Sequence, residues 1–304
     1  MIRAAISAAL LVSVLVFVPI ASVIAALRQI SLWTCAGALA VLFVGHFLSA
    51  VKLRLLMGRT RVPLASCVRA QYAALVASLG FLGMAGGDLA RLAYLAPSVG
   101  PRRMAVAAVA DRIIDAFTLT ALIGIALPLA GWPPALTRRD VPLGWFAAAA
   151  AGVGVAVLIL VRLAGRYNVA SRLWEARSEL REMRWPIAGA LALSSVVQSA
   201  FVATNIWIAT DMGVAIGVAA WFVAWPLSKL TSILPIGLGG IGVREAAVVS
   251  FLVSFGAPAD RVLASAVVWQ ALAGVSGVSG FALTQLLPGG GSPSQFGRWR
   301  WTNV

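Results

Sequence analysis

Residues 234–245 read Leu-Pro-Ile-Gly-Leu-Gly-Gly-Ile-Gly-Val-Arg-Glu, and they interrupt an otherwise apolar segment that spans 217–256. Glycine at this density, together with a proline, breaks an α-helix. A second apolar segment, 64–87, is interrupted in the same way by Gly-Phe-Leu-Gly-Met-Ala-Gly-Gly-Asp at 80–88. Each segment is therefore predicted to form a broken-helix, re-entrant hairpin instead of a single crossing helix.

The composition around these two segments is that of a membrane protein. The chain has 304 residues, of which 61% are hydrophobic and only 11% are charged. Six apolar runs are long enough to cross a bilayer core of roughly 30 Å. They cover 4–27, 32–51, 105–129, 143–164, 186–210 and 262–286. We therefore predict an all-α, polytopic integral membrane protein with one transmembrane domain, 1–287, and a short cytoplasmic tail, 288–304.

The distribution of basic residues predicts the topology of the chain. The formal net charge is +14, but the basic residues lie in short loops between apolar runs, where they set orientation and meet anionic lipid. This scatter argues against nucleic-acid binding, which gathers basic residues on one soluble face. By the positive-inside rule, 52–69, 88–104 and 162–185 are cytoplasmic, as are both termini. Seventeen basic residues then lie on the cytoplasmic side of a bacterial inner membrane and four on its outer side.

The stretch 166–185 predicts an element of a different kind. Apolar residues recur there at helical spacing, with arginine and glutamate between them. Trp174 and Trp185 lie alongside. This pattern is typical of an amphipathic helix that lies on the cytoplasmic interface. A solvated connector between two crossings is the alternative interpretation.

The two interrupted segments resemble each other. Gly-Gly-x-x-x-Arg occurs at 86–91 and again at 239–244, an offset of 153 residues. Three predicted crossings separate the hairpins, and an odd number of crossings inverts the second hairpin relative to the first. Inverted repeats are typical of transporters whose substrate site lies where broken helices meet near the midplane. Chance similarity in a chain rich in alanine, glycine and valine is the alternative.

A small group of ionisable residues falls within or beside the membrane segments. Such residues are costly in a bilayer and usually mark a site or a pathway. Glycine-rich helix starts expose N–H groups that attract anions, and a neighbouring arginine adds a bidentate phosphate ligand. The residues predicted to bind or gate a head group are Gly86, Gly87, Asp88, Arg91, Asp111, Arg112, Asp115, Lys229, Pro235, Gly239, Gly240, Arg244 and Glu245.

The same charges also have a structural interpretation. Arg91 and Arg244 could pair with neighbouring carboxylates and simply hold the hairpins in place, while Arg112 and Lys229 are long enough to snorkel. His46, the only histidine, is interpreted as a packed neutral ring. The sequence contains no metal-ligand spacing and no nucleophile beside a base, so no metal, cofactor or catalytic residue is expected.

Residues 230–246 carry a more specific signal. They contain Pro-x-Gly-x-Gly-Gly-x-Gly-x-Arg-Glu, and this string resembles the lysylphosphatidylglycerol synthase transmembrane (flippase-like) family. The Gly-Gly-Asp-x-x-Arg at 86–91 and the Asp-Arg pair at 111–112 look like other recurrent features of that family, although Met84 stands where proline is expected. The resemblance covers nearly the whole chain. It implies a module that moves a lipid, or a lipid-linked head group, between leaflets.

The sequence thus favours a non-enzymatic lipid flippase or translocase that works by alternating access of two gated hairpins. Its expected partners are membrane lipids with anionic or phosphate-bearing head groups, and a lipid-modifying enzyme. Two-part members of the family carry a soluble aminoacyl transferase after this module, but the chain ends at Val304, so synthase activity is not expected. No P-loop is present, so energy would come from a lipid or ion gradient.

Two alternatives belong to other functional classes. In the first, the chain is a non-catalytic membrane subunit that scaffolds a separate glycosyltransferase or lipid synthase. In the second, it is an integral-membrane transferase that uses Asp88 or Glu245 as a base. Head-group movement, stable co-purification with a partner and product formation by the purified protein are the three observations that separate these hypotheses.

Overall fold

The fold is known from a computed structural model that describes residues 24–25, 27–58, 62–79, 83–131, 177–231 and 243–286. Eight main α-helices occupy these ranges: α1 Leu32–Leu56, α2 Leu64–Ser78, α3 Gly83–Val99, α4 Pro101–Ala130, α5 Arg177–Asp211, α6 Val218–Thr231, α7 Val243–Ser254 and α8 Ala259–Thr284. No strand occurs in the described ranges, and the predicted all-α class is confirmed. The predicted crossing 143–164 and the tail 288–304 lie outside the described residues, as does nearly all of the crossing 4–27.

Four of the helices are long and apolar enough to cross a membrane. Their candidate spans are Leu32–Leu56, Arg103–Ala130, Trp185–Asp211 and Ala259–Thr284, and each coincides with a predicted crossing. Large apolar side chains on them point outward; Trp33 is 85% exposed and Leu129 is 77% exposed. Such surfaces are stable in lipid and not in water. The chain is therefore an integral membrane protein with several candidate spans.

Both interrupted segments form a pair of short helices that pack on each other, α2 with α3 and α6 with α7. The first helix of each pair ends, at Ser78 or Thr231, close to where the glycine-rich sequence begins. Gly86 and Gly87 nevertheless lie inside α3, which continues to Val99 through residues expected to form a loop. That each pair of helices enters and leaves the membrane at the same face remains a prediction.

Gly87 shows why glycine is needed inside α3. A Cβ atom at this position would lie 2.9 Å from the carbonyl oxygen of Ala74 on α2, which is closer than real side chains approach. The absence of a side chain lets the two helix backbones come together. Close packing through small residues is typical of helices in membranes, where apolar burial alone does not drive association.

The eight helices form two units with the same pattern of contacts, α1–α4 and α5–α8. In each unit the first helix packs on the second and the fourth, the second on the third, and the third on the fourth. Between the units, α2 packs on α8 just as α6 packs on α4. The last three helices of the second unit begin 154, 160 and 158 residues after their counterparts. This agreement supports the repeat predicted from the sequence.

The first helices of the two units run in opposite directions. The backbone N–H of Ser31, which caps the start of α1, donates to Asp211 Oδ2 at the end of α5 over 2.7 Å. At the other end, Leu55 of α1 approaches Gly189 near the start of the α5 span. Helices α1 and α5 are thus antiparallel, as an inverted repeat requires.

The predicted interfacial helix 166–185 is not a separate element over its second half. Helix α5 begins at Arg177 and continues through Pro186 into the membrane span, while 166–176 lie outside the described residues. A proline removes a single backbone hydrogen bond, and neighbouring groups in a helix bundle can satisfy the freed carbonyl. Pro186 therefore does not divide the helix.

The re-entrant arrangement of α2 and α3 predicts that their outer ends lie on one side of the membrane. In a background with Cys35 and Cys67 replaced by alanine, we expect Pro63→Cys and Ser98→Cys, both at exposed positions, to react with an impermeant maleimide from the same face of oriented membrane vesicles.

The control for this experiment uses the two ends of α1. Leu32→Cys and Arg54→Cys, also at exposed positions, should react from opposite faces, since they lie 22 residues apart on one candidate span. Reaction of the Pro63 and Ser98 positions from opposite faces would show that α2 and α3 cross the bilayer.

The close contact at Gly87 predicts a specific loss of stability. Gly87→Ala should lower the free energy of unfolding by about 1 kcal/mol or more, because the added methyl group must push α3 away from α2. Gly124→Ala is the matched control, since none of the described residues has an atom within 4 Å of its Cβ position on α4, and it should be neutral or slightly stabilising. Thermal unfolding in detergent measures both changes, and equal effects would contradict the packing explanation.

Candidate functional site

A cavity of about 130 Å³ lies where helices α1 to α6 meet. Ten of its thirteen lining residues are polar or charged, and only Leu75, Val197 and Phe201 are apolar. So many polar side chains around one cavity are unusual between membrane helices, because each costs free energy unless it is paired or hydrated. The cavity is therefore the candidate functional site.

One wall of the cavity is an ion cluster around Lys52 of α1. The Lys52 Nζ atom lies 2.6 Å from Asp115 Oδ1 and 2.8 Å from Asp111 Oδ1, both on α4. Ser194 of α5 donates its hydroxyl hydrogen to the same Asp115 oxygen over 2.6 Å. Lys52 and Asp111 are each only 4% exposed. Because Asp111 and Asp115 are one helical turn apart, a single lysine can contact both.

The cluster continues through two arginines towards the surface. Arg91 of α3 lies 3.3 Å from Asp111 Oδ2 and donates to Gln71 Oε1 of α2 over 2.7 Å. Arg112 of α4 binds Asp88 of α3 through two nitrogens, at 2.6 and 3.3 Å. The Arg112 and Asp88 side chains are 39% and 35% exposed. The ion pairs thus lead from a buried lysine to a half-exposed arginine.

The second unit contributes a lysine to the opposite wall. Lys229 of α6 donates to Gln198 Oε1 of α5 over 2.7 Å. Its Nζ atom also lies 5.2 Å from the ring centre of Trp225 and 5.9 Å from that of Phe201. Aromatic faces stabilise a cation at such distances. A positive charge is thereby held beside the cavity.

An aromatic cluster borders the cavity beside these charges. His46 packs edge-on against Tyr72 and Phe201, with ring centres 6.0 and 5.8 Å apart, and Phe201 packs in the same way on Trp269. The packed ring expected for His46 is observed. However, His46 also lines the cavity, and its buried Nε2 atom has no hydrogen-bond partner among the described residues.

The structure brings together six of the residues predicted from the sequence to bind or gate a head group. Asp88, Arg91, Asp111, Arg112 and Asp115 form one ion cluster, and Lys229 lines the same cavity. The ion pairs of the structural interpretation are also present, so pairing and ligand binding concern the same side chains.

The other predicted site residues lie apart from the cavity or beyond the described residues. Arg244 donates to Gln270 Oε1 over 2.6 Å and contacts Glu245 Oε1 at 3.1 Å, and neither Arg244 nor Glu245 lines the cavity. Gly86 and Gly87 are buried within α3, where Gly87 serves helix packing. Pro235, Gly239 and Gly240 lie outside the described residues.

Lys52 and Arg69 were wrongly assigned to a cytoplasmic loop. Both lie inside helices and are 4% exposed, and Arg69 Nε donates to the carbonyl oxygen of Thr284 over 2.9 Å. Helix α1 extends five residues beyond the predicted crossing that ended at 51. Arg91 was assigned to the cytoplasm in the same way, and it also lies within a helix and lines the cavity. The charge asymmetry of the other basic residues stays a prediction.

A signal for Lys52 was present in the sequence. His46, Ser49 and Lys52 are spaced three residues apart, which places them along one face of a helix. All three line the cavity. A polar stripe on an otherwise apolar helix indicates a buried polar partner, and here that partner is the carboxylate pair of α4.

The comparisons with known proteins agree with this architecture. The family model described as Lysylphosphatidylglycerol synthase TM region matches residues 1–280. No curated protein and no solved structure matches the chain significantly.

The position of Lys52 between two buried carboxylates predicts its effect on stability. Lys52→Met should destabilise the protein by about 3 kcal/mol, because it leaves Asp111 and Asp115 close together with less compensating charge. Arg54→Met, at an exposed position two residues further along α1, is the control and should change the stability little. Thermal unfolding in detergent gives both values.

A double variant tests the electrostatic cause. Lys52→Met combined with Asp115→Asn should recover part of the lost stability, because it removes one of the two uncompensated charges. Additive losses in the double variant would contradict the coupling between these two residues.

Proposed function

The chain belongs to the lysylphosphatidylglycerol synthase transmembrane family, and we propose that it moves a lipid between leaflets by passing the head group through the charged cavity. The observation that carries the proposal is the position of this cavity among apolar, membrane-crossing helices. At 1.5 Å per helical residue, Asp111 and Asp115 lie about 12 and 18 Å along α4 from Arg103, where the apolar span begins. The charges are therefore deep enough to meet a head group in transit.

The barrier to lipid movement is the transfer of a charged head group out of water. The cavity lowers this barrier because fixed charges and hydrogen-bonding groups replace the lost hydration. Four cations, Lys52, Arg91, Arg112 and Lys229, line it. They outnumber the three carboxylates of the ion cluster, so the cavity suits a phosphate. The acyl chains can stay in the bilayer beside the exposed apolar faces of the long helices while the head group moves.

The half-exposed pair between Arg112 and Asp88 is suited to act as an entrance. The Arg112 guanidinium binds the Asp88 carboxylate through two nitrogens, and a phosphate group presents the same bidentate geometry. An arriving phosphate can therefore exchange with Asp88 without leaving Arg112 unpaired. The exchange would loosen the contact between α3 and α4 while the head group is bound.

The two equivalent units supply a basis for alternating access. Helices α2 and α8 pack on each other as α6 and α4 do, and the first helices of the two units run in opposite directions. In inverted repeats the two halves can exchange conformations, which opens the site first to one side and then to the other.

The proposal predicts transport that depends on Arg112. Purified protein in liposomes should move fluorescent phospholipids between leaflets, measured by dithionite quenching of the outer leaflet. Arg112→Gln should slow this movement about tenfold, since it removes a charge-assisted contact worth about 1.5 kcal/mol. Arg103→Gln is the matched control, because Arg103 is exposed on the same helix and does not line the cavity, and it should leave the rate unchanged.

Other outcomes favour the other classes of function. If no lipid moves in a protein-dependent way and a glycosyltransferase or lipid synthase co-purifies stably, the chain is a scaffolding subunit. If the purified protein forms a modified lipid by itself, it is a transferase. Either result would replace the proposal.

A further inference from the structure

The lining of the cavity is dominated by hydrogen-bond donors. Its four cations can only donate hydrogen bonds. Among the described residues that line the cavity, Asp115 is the one carboxylate, and its Oδ1 atom already accepts from both Lys52 and Ser194. A ligand in this cavity must therefore supply mainly acceptor atoms.

Two glutamines add to the excess of donors. Gln71 Oε1 accepts from Arg91, and Gln198 Oε1 accepts from Lys229, each over 2.7 Å. Because arginine and lysine cannot accept, the amide oxygen must face the cation in both cases. Each glutamine is thereby oriented with its Nε2 group directed away from the cation. Neither Nε2 group donates a hydrogen bond within the described part of the chain, so both remain for a ligand.

A few acceptors complete the site and suit hydroxyl groups. Ser49 donates its hydrogen to the carbonyl oxygen of Gly45, and Ser194 donates to Asp115, so the oxygen lone pairs of both can accept. His46 is 7% exposed, and its buried Nε2 atom has no hydrogen-bond partner among the described residues. An unpartnered polar atom at the edge of a polar cavity indicates a missing hydrogen-bonding group.

We propose that the transported lipid carries a phosphate joined to a neutral, hydroxyl-bearing head group without an amine. This inference rests on the proposed function and specifies the substrate of the same site. Phosphate oxygens satisfy the many donors, and hydroxyl groups satisfy Ser49, Ser194 and His46. An ammonium group can only donate hydrogen bonds, so it would leave the donors of the lining unsatisfied, and Lys229 beside it carries the same charge.

The size of the cavity agrees with this chemistry. The cavity has a volume of about 130 Å³. That space suits the phosphate group of a lipid. Two lipid classes share the required chemistry, an anionic glycerophospholipid with a polyol head group and a polyprenyl phosphate bearing a neutral sugar.

The test compares head groups in one liposome assay with the full chain. The probes are phosphatidylglycerol, phosphatidylethanolamine and lysyl-phosphatidylglycerol with the same fluorescent acyl chain, and a polyprenyl phosphate mannose. We expect phosphatidylglycerol or the polyprenyl lipid to move about tenfold faster than both amine lipids, and the faster of the two identifies the source. Equal rates for amine and amine-free lipids would overturn this inference and leave the transport function standing. No movement of any probe would overturn the transport function itself.

A charge-introducing variant tests the donor excess directly. Gln198→Glu places a carboxylate beside Lys229, where it remains paired and adds an acceptor to the cavity. The rate ratio of phosphatidylglycerol to phosphatidylethanolamine should fall about tenfold, because the anionic lipid is repelled and the ammonium group is attracted. Gln71→Glu, beside Arg91, should change the ratio in the same direction and serves if the first variant does not fold.

The matched control is Gln270→Glu. Gln270 also accepts from an arginine, Arg244, over 2.6 Å, but it does not line the cavity. The rate ratio should stay at the value of the unchanged protein. A ratio that is unaltered by both cavity variants, or altered equally by Gln270→Glu, would contradict the assignment of the head group to this cavity.

Discussion

Charge compensation in a membrane interior is the constraint on which the rest of the structure depends. Lys52, Asp111 and Asp115 lie between helices that expose apolar surfaces to lipid, and none of the three could remain ionised there alone. Their pairing joins α1 to α4, and Ser194 and Arg91 extend the contacts to α5 and α3. The same interactions that hold these helices together also form the wall of the cavity.

The packing around this cluster makes room for the side chains that need it. Gly45 on α1 faces the ring of Phe201, and Gly280 on α8 faces the ring of Tyr72. Both rings contact His46, so glycines on two long helices position the aromatic border of the cavity. Close helix packing and a polar interior therefore occur together, because small residues bring the backbones near and leave space only where large side chains fill it.

The repeat explains why one cavity receives side chains from both units. The first unit supplies the ion cluster, and the second supplies Lys229 and Gln198. The units are similar in helix order and contacts but not in their charges, since Arg244 pairs with Gln270 and Glu245 outside the cavity. An inverted repeat can thus keep the symmetry of its backbone for movement while its site stays asymmetric for recognition.

The sequence by itself determined the membrane class, the four described crossings, the breaks near Ser78 and Thr231, and five members of the ion cluster. These follow from local properties: apolar length, glycine and proline content, and the cost of an ionisable residue in a bilayer. Only the tertiary structure decided that Lys52 lines the cavity, that Arg244 does not, and that Gln71 and Gln198 line it with their amide oxygens towards Arg91 and Lys229. Those assignments depend on which helix faces which, because a charge near a helix end can either reach water or turn inward to a partner that is distant in sequence.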